Sequence, residues 1–209
     1  MLELNGITIT WLGHDSIKIE GDNKVIYIDP WKLTDAGPAD ADIVLVTHEH
    51  YDHCSPPDVA KVSKKGTRIM TTADTARKLK GDVMVVKSGD TVEIDGVTVE
   101  AVPAYNTNKS FHPKNSNWIG FIVTVGGNKR IYHAGDTDRI PEMDDFKVDV
   151  ALVPVSGTYV MTAEEAADAV NRMKPKIAVP MHYGAIVGTE ADAERFKTLV
   201  SDDIEVRIL

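Results

Sequence analysis

One stretch limits what this chain can fold into: Ile43-Val44-Leu45-Val46-Thr47-His48-Glu49-His50-Tyr51-Asp52-His53. The apolar and β-branched run Ile43–Thr47 reads as a buried strand. It leads straight into a knot of imidazoles and a carboxylate, the side chains that a Zn²⁺-like ion takes as ligands. Residues two apart in a strand share a face, so His48 and His50 can point to one side. Asp52 and His53 follow where the chain turns and can serve a second ion beside the first. Three of the chain's seven histidines fall within these six residues. Their position directly after a buried strand separates the motif from a His-rich surface loop.

The rest of the chain sets the context. Its 209 residues suit a single domain, 1–209, with a large core. The formal net charge of −9 and the lack of a basic block argue against a general nucleic-acid binder. No apolar run approaches the roughly 20 residues of a membrane span. Met1-Leu-Glu-Leu-Asn-Gly lacks the basic and apolar regions of a signal peptide, and the single Cys54 excludes an intrachain disulfide framework. A cytoplasmic protein is the expectation. No basic, lipid-seeking or repeated feature points to a macromolecular partner, so a small-molecule substrate is expected. Oligomeric state stays open.

The pattern along the chain is α/β. Strands are expected at Ile7–Trp11, Ser16–Glu20 and Lys24–Ile28, the last two joined by Gly21-Asp22-Asn23. Pro30 ends the ladder and leaves Asp29 at a strand end. A Gly/Pro/Asp loop, Thr34–Asp42, leads to the histidine motif. Helices are expected at Asp58–Lys64, Thr72–Leu79, from the capping box Thr162-Ala-Glu-Glu165 to Pro175, and at Glu190–Val200. Further strands are expected at Thr67–Met70, Val83–Val86, Thr91–Ile94, Val97–Val102, Ile119–Val125, Arg130–His133, Val148–Val153, Ile177–Val179 and Ile204–Leu209. No internal repeat is visible at the motif level. The polar, amide-rich loop Pro103–Asn117 is long for a connection, a mark of functional loops.

Candidates for metal chemistry stand at several strand ends. Besides His48, His50, Asp52 and His53, Gly135-Asp136-Thr137 puts a carboxylate just past a strand, with a glycine allowing close backbone approach. His182 follows Ile177–Pro180, and His112 lies in the unusual loop. A carboxylate bridging two ions holds them at roughly the 3.5–4 Å of two-metal hydrolytic sites.

The pattern His48-x-His50-x-Asp52-His53, then Gly135-Asp136-Thr137, then His182, resembles the metallo-β-lactamase fold superfamily of metal-dependent hydrolases. Trp11-Leu12-Gly13-His14 and Ile28-Asp29-Pro30-Trp31 are similar to its ascorbate-phosphate-lactonase-like and acyl-ethanolamine-phospholipase-like branch. The resemblance covers essentially the whole chain. It implies a four-layer αββα sandwich with metals at one edge between the sheets. His48 and His50 would bind the first metal, Asp52, His53 and His182 the second, and Asp136 would bridge. The family's usual third histidine on the first metal is missing at its expected place, where Tyr105 or Asn106 stands. Either His112 substitutes, or the first site is weak or empty.

The remaining candidates are weighed between a functional and a structural reading. His14 is a supporting or substrate residue, or a structural hydrogen-bond partner. Asp29 orients a metal-bound histidine or caps the Pro30 turn. His133, inside a strand, reads as structural. Cys54 reads as a packed thiol. Tyr183 and Tyr159 could stabilise an oxyanion or belong to the core. Lys109, Lys114 and Arg139 read as surface charge rather than substrate contacts. The expected function is a hydrolase in which a metal-activated hydroxide attacks a lactone, amide, ester, thioester or phosphodiester, with Asp52 both ligating and orienting the nucleophile. No serine or cysteine triad is needed. Zn²⁺ is the expected ion, with Mn²⁺ or Fe²⁺ fitting the same ligands. The alternatives are a nuclease of the same fold and a non-catalytic metal-binding protein.

Overall fold

Along the strand Ala41–Val46, Ile43 and Leu45 join one apolar cluster while Val44 and Val46 join another. Burial on both faces is what a strand between two packed layers requires. The same alternation places Ile26 and Ile28 in the first cluster and Tyr27 in the second. A computed structural model describes residues 1–34 and 39–209; residues 35–38 of the expected Thr34–Asp42 loop lie outside the described residues.

Among the described residues, two seven-stranded sheets result. The first runs in chain order through β1 (Leu2–Leu4), β2 (Ile7–Gly13), β3 (Ser16–Gly21), β4 (Lys24–Ile28), β5 (Ala41–Val46), β6 (Ser63–Thr71) and β7 (Asp82–Val85). The second runs through β8 (Thr91–Ile94), β9 (Val97–Pro103), β10 (Ile119–Val125), β11 (Lys129–His133), β12 (Val150–Pro154), β13 (Ile177–Met181) and β14 (Glu205–Val206). In each sheet the first four strands pair antiparallel and the rest parallel. The two halves therefore share one connectivity, a repeat of backbone pairing that leaves no trace in the motifs.

The inner faces, with Ile17, Ile19 and Ile28 from one sheet and Val99, Phe121 and Val123 from the other, form the main core. α1 (Pro56–Val62) covers the first sheet through Val59 and Val62. α2 (Ala163–Met173) and α3 (Glu190–Leu199) cover the second through Ala166, Val170, Ala193 and Phe196. The layers are thus αββα, as the resemblance implied. The Thr162/Glu165 capping box is formed in full.

Two expected elements are corrected. Thr72–Leu79 is only a short 3₁₀ turn at Thr75–Lys78. The Asp74 carboxylate takes the Thr72 hydroxyl and the Thr75 N–H, so local side-chain bonds displace a regular helix. The final strand is confined to Glu205–Val206. Among the described residues, no helix is long and apolar enough to cross a membrane.

Candidate metal centre

The sheets bring their strand ends together along one edge of the sandwich. Asp29 follows β4, His48 follows β5, Asp136 lies just past β11 and His182 follows β13. His14 comes from the β2–β3 turn, and His112 from the long loop between β9 and β10. Ligand atoms of His48, His50, His112 and Asp136 lie within 4.8 Å of one another, as do those of His14, Asp52, His53 and His182.

In the first group the ring tautomers follow from the partners. Thr47 Oγ1 donates to Asp29 Oδ2 at 2.7 Å, so His48 Nδ1, 3.0 Å from that hydroxyl oxygen, must be the donor there. His112 Nδ1 faces two oxygens, Asn106 Oδ1 and Tyr159 O, each at 3.2 Å, and carries the proton too. In the neutral rings both Nε2 atoms carry lone pairs. His48 Nε2 lies 3.0 Å from His50 Nδ1, which in turn lies 3.3 Å from His112 Nε2. Burial and the neighbouring imidazoles hold His48 well below the usual histidine range and His50 below it. Neutral imidazole nitrogens converging with their lone pairs inward are the donor set a cation fits.

Asp136 stands between the groups. Its Oδ2 is 3.1 Å from His112 Nε2, while its Oδ1 is 3.2 Å from His53 Nε2 and 3.3 Å from His182 Nε2. Burial pushes its carboxyl up, but His182 and His53 outweigh it and hold it well below the usual range. Burial also lowers His53 and His182. Asp136 reverses this, assisted by Asp29 at His53 and by Asp15 at His182, so that His53 sits well above its ordinary value and His182 at about 9. His53 Nε2, His182 Nε2 and Asp136 Oδ1 are buried without a hydrogen-bond partner among the described residues. Carboxylates here call for positive charge, and these inward-facing atoms fit a divalent ion.

Supporting contacts fix the rings. Asp29 is fully buried and accepts from Thr47 N at 2.8 Å, Thr47 Oγ1 at 2.7 Å and His53 Nδ1 at 2.8 Å. One carboxylate thus sets His53 directly and His48 through Thr47, the arrangement that orients metal-ligating imidazoles. Gly135 has φ +60, and a Cβ there would meet Thr47 Cβ at 3.1 Å, so the glycine lets the Asp136 loop approach the β5 end. Ser156 Oγ lies 2.9 Å from His182 Nδ1. His14 Nε2 is 3.1 Å from Asp52 Oδ2. Burial raises the Asp52 carboxyl, but the His14 bond and His53 bring it below its ordinary value.

Sequence reasoning missed Asp15, Thr47 and Ser156. Asp15 belongs with His53, Asp136 and His182 in a third group whose ligand atoms lie within 4.8 Å. Its signal was faint, a polar residue in what reads as a turn.

The other candidates separate from the groups. Asn106 does not point into the first group; its Oδ1 accepts from His112 N at 2.8 Å and braces that histidine. The Tyr105 side chain is elsewhere, its hydroxyl donating to Glu142 Oε2 at 2.9 Å. Its backbone carbonyl accepts from Asp138 N, so the chain rather than the ring supports the Asp136 loop. Tyr105 and Trp118 line a cavity of about 540 Å³ that contains none of the histidines or aspartates of the groups. His133 is satisfied, Nε2 donating to Asp15 O at 2.8 Å and Nδ1 accepting from Gly135 N. Cys54 packs with Val44 and Val59, and burial pushes its thiol up to about 11. Tyr183 belongs to the core and packs at a tilt against the partly buried Trp11. Lys109, Lys114 and Arg139 are paired with Asp138, Glu142 and Asp144.

A smaller cavity, about 220 Å³, opens directly onto the groups through His50, Asp52, His112 and Asp136. Tyr51, Phe111, Tyr159 and Ile186 complete its wall, with Tyr51 and Phe111 among the exposed large apolar side chains.

A family model described as a beta-lactamase superfamily domain matches residues 8–182, which span every donor from His14 to His182. A UPF0173 metal-dependent hydrolase from Pyrococcus abyssi is 38% identical, the match covering 97% of this chain and 96% of that protein. A solved structure from Parabacteroides distasonis, described as a metal-dependent hydrolase, is 41% identical with a TM-score of 0.87, covering 97% of this chain and 92% of that one. A metallo hydrolase from the archaeon Ignicoccus hospitalis is 25% identical with a TM-score of 0.78, covering 97% and 94%.

Proposed function

Since the chain belongs to the beta-lactamase superfamily, we propose that it is a metal-dependent hydrolase holding two divalent ions and acting on a carbonyl or phosphoryl centre of a small substrate. The observation that carries this reading is Asp136, with one carboxylate oxygen facing each donor group. His48, His50 and His112 would hold the first ion, Asp52, His53 and His182 the second, and Asp136 would bridge. Three imidazoles and one carboxylate oxygen favour Zn²⁺ at the first position.

Bound there, divalent ions lower the pKa of water toward neutrality and polarise the oxygen under attack. The protein's own groups supply the rest. Asp52 borders the cleft, held by His14 on Oδ2. A carboxyl kept below its ordinary value is ionised at neutral pH, so Asp52 can take the proton of the attacking water and pass it to the leaving group. Asp29 and Thr47 keep the His48 and His53 nitrogens turned inward throughout. A 220 Å³ cleft admits a small molecule, and its aromatic wall suits a substrate that is partly apolar.

The test combines metal analysis with turnover. Wild-type protein reloaded with Zn²⁺ is expected to hold two ions and to hydrolyse at least one member of a panel of lactones, esters, amides and phosphodiesters, reversibly inhibited by a chelator. His112→Ala should lose the first ion and keep the second. Wild-type protein that binds no divalent ion from a metal-replete buffer overturns the whole reading, and tight binding without any turnover leaves only the metal-binding part. Unchanged metal content and affinity in His112→Ala removes His112 from the ligand set.

A further inference from the structure

Asp15 is the carboxylate that the two-ion arrangement does not use. It is fully buried, and neither Oδ1 nor Oδ2 has a hydrogen-bond partner among the described residues. Asp29, equally buried a few ångströms away, collects three donors. Both flank the same imidazole, but Asp29 sits at 2.8 Å from His53 Nδ1 and Asp15 Oδ2 at 3.7 Å, beyond hydrogen-bond reach. The backbone places Asp15 firmly: its carbonyl accepts from His133 Nε2 at 2.8 Å, and His14 before it has φ 53, which turns the chain inward between β2 and β3.

A buried carboxylate with both oxygens bare is costly unless a cation or a proton meets it. Asp15 shares its 4.8 Å neighbourhood with His53, Asp136 and His182, whose inward atoms are also unpartnered. With Asp29 and Asp52, four carboxylates crowd this lobe. The first lobe has three imidazoles and shares one carboxylate oxygen.

We propose that Asp15 is a further carboxylate ligand of the second ion, and that it makes this position oxygen-rich and selective for Mn²⁺ or Fe²⁺ where the first favours Zn²⁺. The inference rests on the two-ion reading above and deepens it. Asp15, Asp52 and Asp136 give three carboxylates beside the imidazoles of His53 and His182. Oxygen donors in that number suit Mn²⁺ and high coordination, whereas imidazole-dominated sets suit Zn²⁺.

The experiment strips the full-length protein with a chelator and titrates it with Mn²⁺ and with Zn²⁺, following binding by calorimetry and by the electron paramagnetic resonance of free Mn²⁺. Wild type is expected to take one Mn²⁺ at the second position with Zn²⁺ at the first. Asp15→Asn, which keeps shape and removes charge, should weaken that Mn²⁺ at least tenfold and leave the first Zn²⁺ unchanged. Mn²⁺ affinity within twofold of wild type in Asp15→Asn overturns the proposal. Should Asp15→Asn fail to fold, anomalous diffraction from Mn²⁺-loaded wild-type crystals decides. Manganese within bonding distance of an Asp15 oxygen supports it, and manganese bound elsewhere in the lobe overturns it. If the wild type binds no ion at all, the two-ion reading falls; if it binds two and Asp15→Asn is indifferent, only this inference does.

Discussion

Replacing Asp29 by asparagine should damage both ion positions more than replacing it by alanine. Asp29 Oδ2 receives protons from His53 Nδ1 and from Thr47 Oγ1, and Thr47 Oγ1 receives one from His48 Nδ1. Asparagine keeps an oxygen for Thr47 N but puts an NH₂ group where Oδ2 stood. That group donates. Thr47 must then accept from it and give its own proton to His48 Nδ1, while His53 Nδ1 must become an acceptor. Both imidazoles flip to the Nε2–H form, and each loses the lone pair that faces the metal. Alanine instead leaves a void in which a water can go on accepting both protons. Loss of a carboxylate that orients a metal-bound histidine costs about tenfold to hundredfold in metal affinity, which is about 1.4–2.7 kcal/mol per ion. The assay is competition with a chromophoric chelator on stripped protein, with a thermal melt of the metal-free variant to confirm folding. Affinity of Asp29→Asn within twofold of wild type, or Asp29→Ala weaker than Asp29→Asn, would refute the tautomer relay.

Other expectations follow from the same contacts. Thr47→Val cuts the relay to His48 alone, so the first ion should weaken about tenfold while the second holds; equal losses at both would sink the separation. Gly120→Ala would put a Cβ 2.6 Å from His133 O and 2.7 Å from Ala134 O. Overpacking of this kind costs about 1–3 kcal/mol, or a fall in Tm of roughly 2–12 °C for a chain of this size. It should also lower metal content, because Asp136 follows directly; an unchanged melt would contradict it. In metal-free protein, burial opposes but Asp136 wins at His182, raising it to about 9. Stability from that proton is fully present below the ordinary 6.5 and lost as pH rises through about 9. An incoming ion must expel it, so affinity at the second position should rise with pH over this window, and calorimetry in buffers of different ionisation enthalpy should detect proton release near pH 7.

Much of the centre was legible because its donors cluster in sequence or sit at recognisable strand ends. The run into His48 shows in the unbroken apolar stretch Ile43–Val46, and Asp136 and His182 each follow a short apolar strand. His112 was harder, because the loop from Pro103 to Asn117 has no period to say which side chain turns inward. Only the folded loop shows Asn106 gripping the His112 backbone. The course of Tyr105 is hidden for the same reason, its ring leaving the edge while its backbone stays. Asp15 was illegible because a polar residue after Gly13-His14 looks like any solvated turn; its burial comes from the second sheet, far away in sequence. The shared connectivity of the two sheets lies in backbone pairing, which side-chain motifs do not record.

That shared connectivity has a mechanical consequence. The first sheet's half supplies His48, His50, Asp52 and His53, and the second supplies His112, Asp136 and His182. An ion gripped by both acts as a rivet between two lobes that the chain joins only through the short turn after β7. Closing a loop on the order of 100 residues by a fixed cross-link removes about 5 kcal/mol of entropy from the unfolded chain. A backbone cut in Lys87-Ser88-Gly89 would leave two fragments that share the buried core between the sheets, and metal would tighten their reunion, turning the centre into a fastener of a split protein.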